Sequence, residues 1–310
     1  MSTHASVLDL IGNTPLVSLK RIAGDRGHLL AKAEFLQPGG SVKDRPAKTI
    51  IESAYAGGRL TAGQPVVEMT SGNMGSGLAL VCSAFGNPFT AVMSAGNSPE
   101  RVRMLEGLGA KVIRVSQVEG TAGQVTGKDI GAAGDAARNL AKETGAYFVD
   151  QFNNPGSIRA HEQHTGPEIW RQTEGRLDAF VAIVGSGGTF VGTSHFLKSK
   201  NKSITCAAVE PRGAAILAGK PVSNSKHVLQ GAGYSMVPPL WDDSVVDSFL
   251  DVSNEEAIQM KSRLGSEQGL YVGFSAAANV CAAVRLFDSG IVPRGGTIVT
   301  VLCDTGLKYS

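Results

Sequence analysis

From Pro65 onward the chain alternates short apolar runs with helix-like ones, and that alternation limits the fold more than any other feature. PVVEM (65–69) reads as a strand, NMGSGLALVCSAFG (73–86) as a helix stopped by Gly86, and PFTAVM (88–93) as a second strand. PERVRMLEGLG (99–109) opens on proline and closes on glycine, as helices do, and the strand AKVIRV (110–115) follows. The order resumes with AFVAIV (179–184), TFVGTSHFLKS (189–199) and SITCAAVE (203–210), then EEAIQMKSRLGSEQG (255–269) as helix and GTIVTVLCD (296–304) as a last strand. Strands connected through helices pair in parallel and are covered on both faces. The expected class is therefore α/β, with mostly parallel twisted sheets in two α/β units. Residues 116–130 and 211–239 show no clear period and are expected as irregular loops.

At 310 residues the chain is longer than one hydrophobic core usually serves. No apolar run approaches the roughly 20 residues that cross a bilayer, and MSTHASVLDLIGNTP has neither the basic nor the apolar region of a secretory signal. A cytoplasmic location is the expectation. The net charge of +2 is spread without like-charge runs, which argues against nucleic acid or a membrane surface as partner. Cys82, Cys206, Cys281 and Cys303 are far apart, with no C-x-x-C spacing, and are expected as reduced thiols rather than metal ligands. No metal is expected.

The 39 glycines cluster between apolar runs, where backbone must approach a ligand closely. In VGSGGTFVG (184–192) a glycine-rich turn after a strand and before a helix offers several N–H groups and a helix dipole to an anion. The dinucleotide register would need glycine at Phe190, and the triphosphate loop would need glycine directly before its lysine. Lys43, in QPGGSVKDRPAK (37–48), fails that second test because Val42 precedes it and Asp44 follows. A phosphate cup and a separate lysine behind a Gly-Gly turn together suit pyridoxal 5'-phosphate, which needs a lysine for a Schiff base and a nest for its phosphate. A third stretch, EMTSGNMGSGLAL (68–80), joins the hydroxyls of Thr70 and Ser71, the amide of Asn73 and a helix start into a site for a carboxylate, as an amino-acid substrate would bring. HEQH (161–164) looks metal-like, but its histidines are three apart rather than four, so a structural or supporting role is expected.

With these stretches in place, the chain resembles the cysteine synthase (O-acetylserine sulfhydrylase) and cystathionine β-synthase family of tryptophan-synthase-β-like, fold type II pyridoxal-phosphate enzymes. The resemblance runs through IGNTPLVSL (11–19), PGGSVKDR (38–45), TSGNMG (70–75), DQFNNPGSIRAH (150–161), TGPEIW (165–170), GSGGT (185–189), LQGAG (229–233), GFSAAAN (273–279) and CDTGLKY (303–309), nearly the whole chain in family order. It implies two three-layer αβα domains with the cofactor in the cleft between them. The smaller domain would be 36–148, with Lys43 and the carboxylate loop; the larger would be 1–35 plus 149–310, with the phosphate loop.

Residue by residue, the resemblance implies Lys43 as the Schiff-base lysine and Asn73 as the partner of the cofactor's ring hydroxyl. Gly185, Ser186, Gly187, Gly188 and Thr189 would form the phosphate loop, and Ser275 would face the ring nitrogen. Thr70, Ser71, Asn73, Met74 and Gln151 would hold the substrate carboxylate. The implied reaction is β-replacement on an O-activated L-serine through an α-aminoacrylate, with O-acetylserine plus sulfide giving L-cysteine. The alternatives are O-phosphoserine as donor, serine plus homocysteine giving cystathionine, 2,3-diaminopropionate synthesis, or a scaffold that docks a C-terminal peptide. A homodimer, and binding of the serine acetyltransferase C-terminal tail, are also implied. Asp44 and Arg45 read as structural charges. Position 74 departs from the family, which usually has threonine there; Met74 can offer only its backbone N–H, so Met74→Thr is expected to change donor preference or raise activity on O-acetylserine. Ala276 and Ala277 replace a common Ser-Gly.

Overall fold

The structure, a computed structural model, describes residues 4–120, 125–224, 226–234 and 236–309. In chain order, β1 (Leu16–Ser18), α1 (Lys20–Ala23) and β2 (His28–Ala33) precede α2 (Asp44–Ala56). Next come β3 (Val66–Met69), α3 (Asn73–Phe85), β4 (Phe89–Ser94), α4 (Pro99–Gly107), β5 (Lys111–Val115), α5 (Gly127–Thr144) and β6 (Tyr147–Phe148). They are followed by α6 (Gly156–Ala160), a wide helical turn His161–Thr165, α7 (Gly166–Gln172), β7 (Ala179–Ile183), α8 (Gly188–Lys200) and β8 (Thr205–Pro211). β9 (Ser248–Val252), α9 (Asn254–Gln268), α10 (Phe274–Asp288) and β10 (Thr297–Leu302) complete the described set, before a short helical turn Gly306–Tyr309.

The chain divides into two compact units, Met1–Ile11 with Lys43–Ser157, and Gly12–Val42 with Ile158–Ser310. In the first, a four-stranded sheet runs β5-β4-β3-β6 with every pair parallel. Residues of α2 and α3, among them Ile50, Ile51, Leu78 and Cys82, form one core with Val66 and Ala91. Ala133, Ala137 and Ala141 of α5 form the other with Val67 and Val92. This is the strand alternation that a sheet covered on both faces requires. Leu8 and Ile11 pack against the first core, and Lys48 Nζ donates to the Leu8 carbonyl at 2.9 Å. These contacts place residues 8–11 with Lys43, whereas the resemblance grouped them, within 1–35, with the larger domain.

The second unit holds a six-stranded sheet, β1-β2-β10-β7-β8-β9, parallel except where β1 runs against β2. Residues of α9 and α10 cover one face and residues of α8 the other. Among the helices that the periodicity of the sequence did not mark are α10 and α5. Most of α10 is buried, so its small residues show no polar stripe. α5 begins inside the stretch expected to be irregular, behind a capping box of Thr126 and Asp129. Asp129 also accepts from the amides of Val118 and Glu119, and these backbone donors, Thr126 first among them, hold its carboxyl well below the usual range.

Candidate active site

In the first unit Lys43 caps α2 in helical geometry, half-buried, with its carbonyl accepting from Ala47 N at 3.1 Å. Asp44 and Arg45 behind it are buried, in keeping with the structural role the sequence suggested. What fixes the lysine's backbone is α3. A Cβ on Gly77 would lie 3.0 Å from the Lys43 carbonyl oxygen and 3.2 Å from Asp44 Cα, so the two helices meet backbone to backbone there. Gly77 is one helical turn from Asn73, where α3 begins.

That helix start has a glycine, Gly72, as cap, and no acidic residue in its first turn. The opening amides of a helix have no internal acceptor, so they and the helix dipole favour an anion. Thr70 Oγ1 accepts from Gly75 N at 3.0 Å, which folds the loop back on itself. From α4, the Arg101 guanidinium donates to both the carbonyl and the hydroxyl oxygen of Ser71, at 3.3 and 3.2 Å. With its oxygen already accepting, the Ser71 hydroxyl is left to act as donor, the role a carboxylate ligand needs. Gln151 follows Asp150, which takes a left-handed φ of 54°, and its Nε2 lies 3.4 Å from the Met69 carbonyl oxygen.

Met74 turns its side chain away from the loop. Its side chain is 3% exposed and packs in the core with Leu78 and Leu105, leaving only the backbone to face the loop. Met74→Thr therefore trades a buried apolar side chain for a hydroxyl in the core. An unfolding free energy lower by about 1–3 kcal/mol is expected in denaturant titration.

In the second unit the 185–189 loop links β7 to α8. Gly187 is the helix cap at φ 93°, a left-handed value that glycine adopts without strain. A Cβ on Gly185 would fall 2.2 Å from the Gly231 carbonyl oxygen, so backbone meets backbone across that position. α8 carries no acidic residue in its first turn, and Ser186 is buried in the loop. The first turn of α8 brings no carboxylate of its own, and this fits a cofactor that brings its own phosphate.

His161 lies beneath this loop. Its Nε2 is 3.2 Å from Thr189 Oγ1 and its Nδ1 2.9 Å from Thr165 Oγ1, with the ring 1% exposed. The H-E-Q-H stretch thus supports the loop, and among the described residues no cluster of three metal-binding side chains forms. Ser275 stands in the first turn of α10, also buried. Four residues on, Asn279 accepts from Ile183 N at 2.6 Å and donates to the Val301 carbonyl at 2.8 Å, tying the serine's helix to the strand that leads into the 185–189 loop. The C-terminal segment braces the glycine turn before Lys43. Val42 N donates to Cys303 O, Thr305 N to Gly40 O, and Lys308 Nζ to Gly39 O at 2.8 Å.

Sequence patterns marked the loops and gave the 161–164 stretch a supporting role, but did not single out Arg101, Asn279 or the C-terminal brace as supports. Arg101 and Asn279 act over long sequence separations through polar side chains of ordinary type, and the brace acts mainly through backbone groups. Burial pushes the Cys82 thiol up to about 12 and those of Cys206 and Cys281 up to about 11, so these behave as core residues. Among the described residues no helix is long and apolar enough to cross a membrane.

Comparison with known proteins agrees with this arrangement. Residues 7–304 match the family model described as pyridoxal-phosphate dependent enzyme. The cysteine synthase of Staphylococcus aureus (strain Mu50 / ATCC 700699) is 36% identical over 306 residues, covering 98% of this chain and 94% of the relative. The crystal structure of O-acetyl serine sulfhydrylase isoform 3 from Entamoeba histolytica superposes with a TM-score of 0.90 at 32% identity, covering 99% of this chain and 90% of that one. That of the O-acetylserine dependent cystathionine beta-synthase from Helicobacter pylori does so with a TM-score of 0.89 at 32% identity, covering 100% and 98%. The chain belongs to the pyridoxal-phosphate dependent enzyme family, in its cysteine synthase class, with pyridoxal phosphate as cofactor.

Proposed function

We propose that this enzyme replaces the β-substituent of O-acetyl-L-serine with sulfide, giving L-cysteine. The observation that carries the reading is the contact between Gly77 and the Lys43 carbonyl, which holds the lysine's backbone one helical turn from the anion-binding start of α3. Bound pyridoxal phosphate supplies an electron sink for the Cα and Cβ bonds of an amino acid condensed with it.

Lys43 would hold the cofactor covalently through Nζ. Once the amine of the donor has displaced it, Nζ would take the Cα proton as general base and later return a proton to the product. Gly185, Ser186, Gly187, Gly188 and Thr189 would bind the phosphate, with His161 fixing the Thr189 hydroxyl. Ser275 would face the ring nitrogen as a neutral hydroxyl, which leaves that nitrogen unprotonated. Asn73 would bind the ring hydroxyl. The donor's carboxylate would lie on the first amides of α3, including Met74 N, with Thr70, the Ser71 hydroxyl oriented by Arg101, and Gln151.

The experiment is product analysis of the purified enzyme with pyridoxal phosphate and each donor, O-acetylserine, O-phosphoserine or L-serine, against sulfide and homocysteine in turn. Cysteine from O-acetylserine and sulfide is expected at a rate at least about tenfold above every other pair. Cystathionine as the main product would favour a second reading, supported by the resemblance to the Helicobacter pylori enzyme. Fastest turnover of O-phosphoserine or L-serine would remove acetate as the leaving group.

A further inference from the structure

Glu68 is a buried acid to which the proposed reaction gives no task. It sits on β3, 1% exposed. Strand alternation sets it on the same face as Val66, toward α2 and α3, while Val67 and Met69 point to α5. Its Oε1 lies 3.4 Å from Gln151 Nε2, and the backbone N–H groups of Gln151 and Asp150 face the carboxyl. Its Oε2 is buried and has no hydrogen-bond partner among the described residues. Gln151 is anchored from its other side too, because its carbonyl accepts from Ser157 Oγ at 3.1 Å. Glu68 stands two residues before Thr70 on the strand that runs into the 70–75 loop, so one side chain links that loop to the turn bearing Gln151.

We propose that Glu68 is a positioning residue for recognition of the substrate carboxylate, holding the Asp150–Gln151 turn beside the start of α3 and governing how far the Gln151 amide N–H is available to an anion. This rests on the reading that Gln151 and the 70–75 loop bind the donor's carboxylate.

The protonation state of Glu68 gives the arrangement its consequence. Burial first, and the nearby Asp150 second, push its carboxyl up to about 8. Other titratable groups on the elements around this face are Lys43 at the cap of α2, Asp44, Arg45, Lys48, Glu52 and Tyr55 on α2, Cys82 on α3 and Tyr147 on β6. β4, the other neighbour of β3, contributes none. At neutral pH the group is an uncharged acid, a weak acceptor that leaves Gln151 Nε2 free to share a proton with an anion. Ionised, it competes for that N–H and adds a like charge beside the substrate carboxylate. The sign follows: carboxylate recognition is intact below about 8 and weakens as pH rises through it.

The test compares two amines that condense with the cofactor and differ in the carboxylate, L-alanine and ethylamine, by spectral titration of the holoenzyme. Their affinity ratio cancels the titration of Lys43 and of the cofactor. Wild-type enzyme should prefer L-alanine at about pH 7 and lose about tenfold of that preference by about pH 9. Glu68→Gln, an uncharged side chain of the same shape, should keep the preference and flatten its pH dependence. Glu68→Ala should lower the ratio at every pH by releasing the turn, and if that variant does not fold, Glu68→Gln alone decides. An identical pH slope in Glu68→Gln, or a flat slope in wild type, overturns the proposal. No preference for L-alanine over ethylamine in wild type at about pH 7 would instead sink the underlying reading of the carboxylate site.

Discussion

Lys43→Ala is expected to reduce turnover by roughly a thousandfold or more, because a covalent anchor and a general base are lost together and general-base catalysis alone contributes about 10²–10⁴. The change should leave the fold intact. Lys43 lies at the cap of α2 with its backbone fixed by Gly77, and neither interaction needs the ammonium. The cofactor's visible absorption should move to that of a noncovalently held aldehyde, and dialysis should strip it faster than from wild type. Lys43→Arg separates charge from chemistry: it keeps a cation but cannot deprotonate, so it should fail almost as completely. Turnover within about tenfold of wild type in either variant would exclude Lys43 as the reacting lysine.

Gly185→Ala is the second large effect, and it tests the other unit. The added Cβ would fall 2.2 Å from the Gly231 carbonyl oxygen, a backbone atom that cannot rotate away. Either the turn after β7 or the Gly231 segment must shift by about 1 Å, and misplacement on that scale at a binding loop can cost about a hundredfold. Cofactor affinity is expected to fall by about ten- to a hundredfold, with activity partly restored by excess pyridoxal phosphate. Gly265→Ala on α9 is the control. Apart from its own helix backbone, no described atom lies within 4 Å of its Cβ position, so it should keep full affinity and gain about 0.5–1 kcal/mol of stability from helix propensity. Unchanged cofactor affinity in Gly185→Ala would show that the 185–189 turn does not carry the phosphate.

Which parts of this enzyme can be read from its sequence follows from the range of the forces involved. Strands with continuous apolar runs such as AFVAIV, and helices bounded by proline and glycine such as 99–107, report themselves because burial and chain termination act over a few neighbours. Loops that bring backbone near a ligand report themselves through glycine, as at Gly187, where a left-handed turn tolerates little else. α10 stays hidden because burial on nearly all sides removes the polar stripe that marks a helix.

The sequence by itself determined the two parallel α/β units, the lysine behind its glycine turn, and the loops at 70–75 and 185–189. Only the tertiary structure decided what stands behind them. It set Arg101 against Ser71 across 30 positions, His161 against Thr189 across 28, Glu68 against Gln151 across 83, and Asn279 against Ile183 across 96. It also packed the Met74 side chain into the core with Leu78 and Leu105, a burial that the sequence, which left that residue only its backbone N–H to offer, did not show. The reason is physical: propensity, periodicity and turn chemistry are local, whereas a buried polar side chain is placed by the partner that satisfies it, and that partner is near only after the chain has folded.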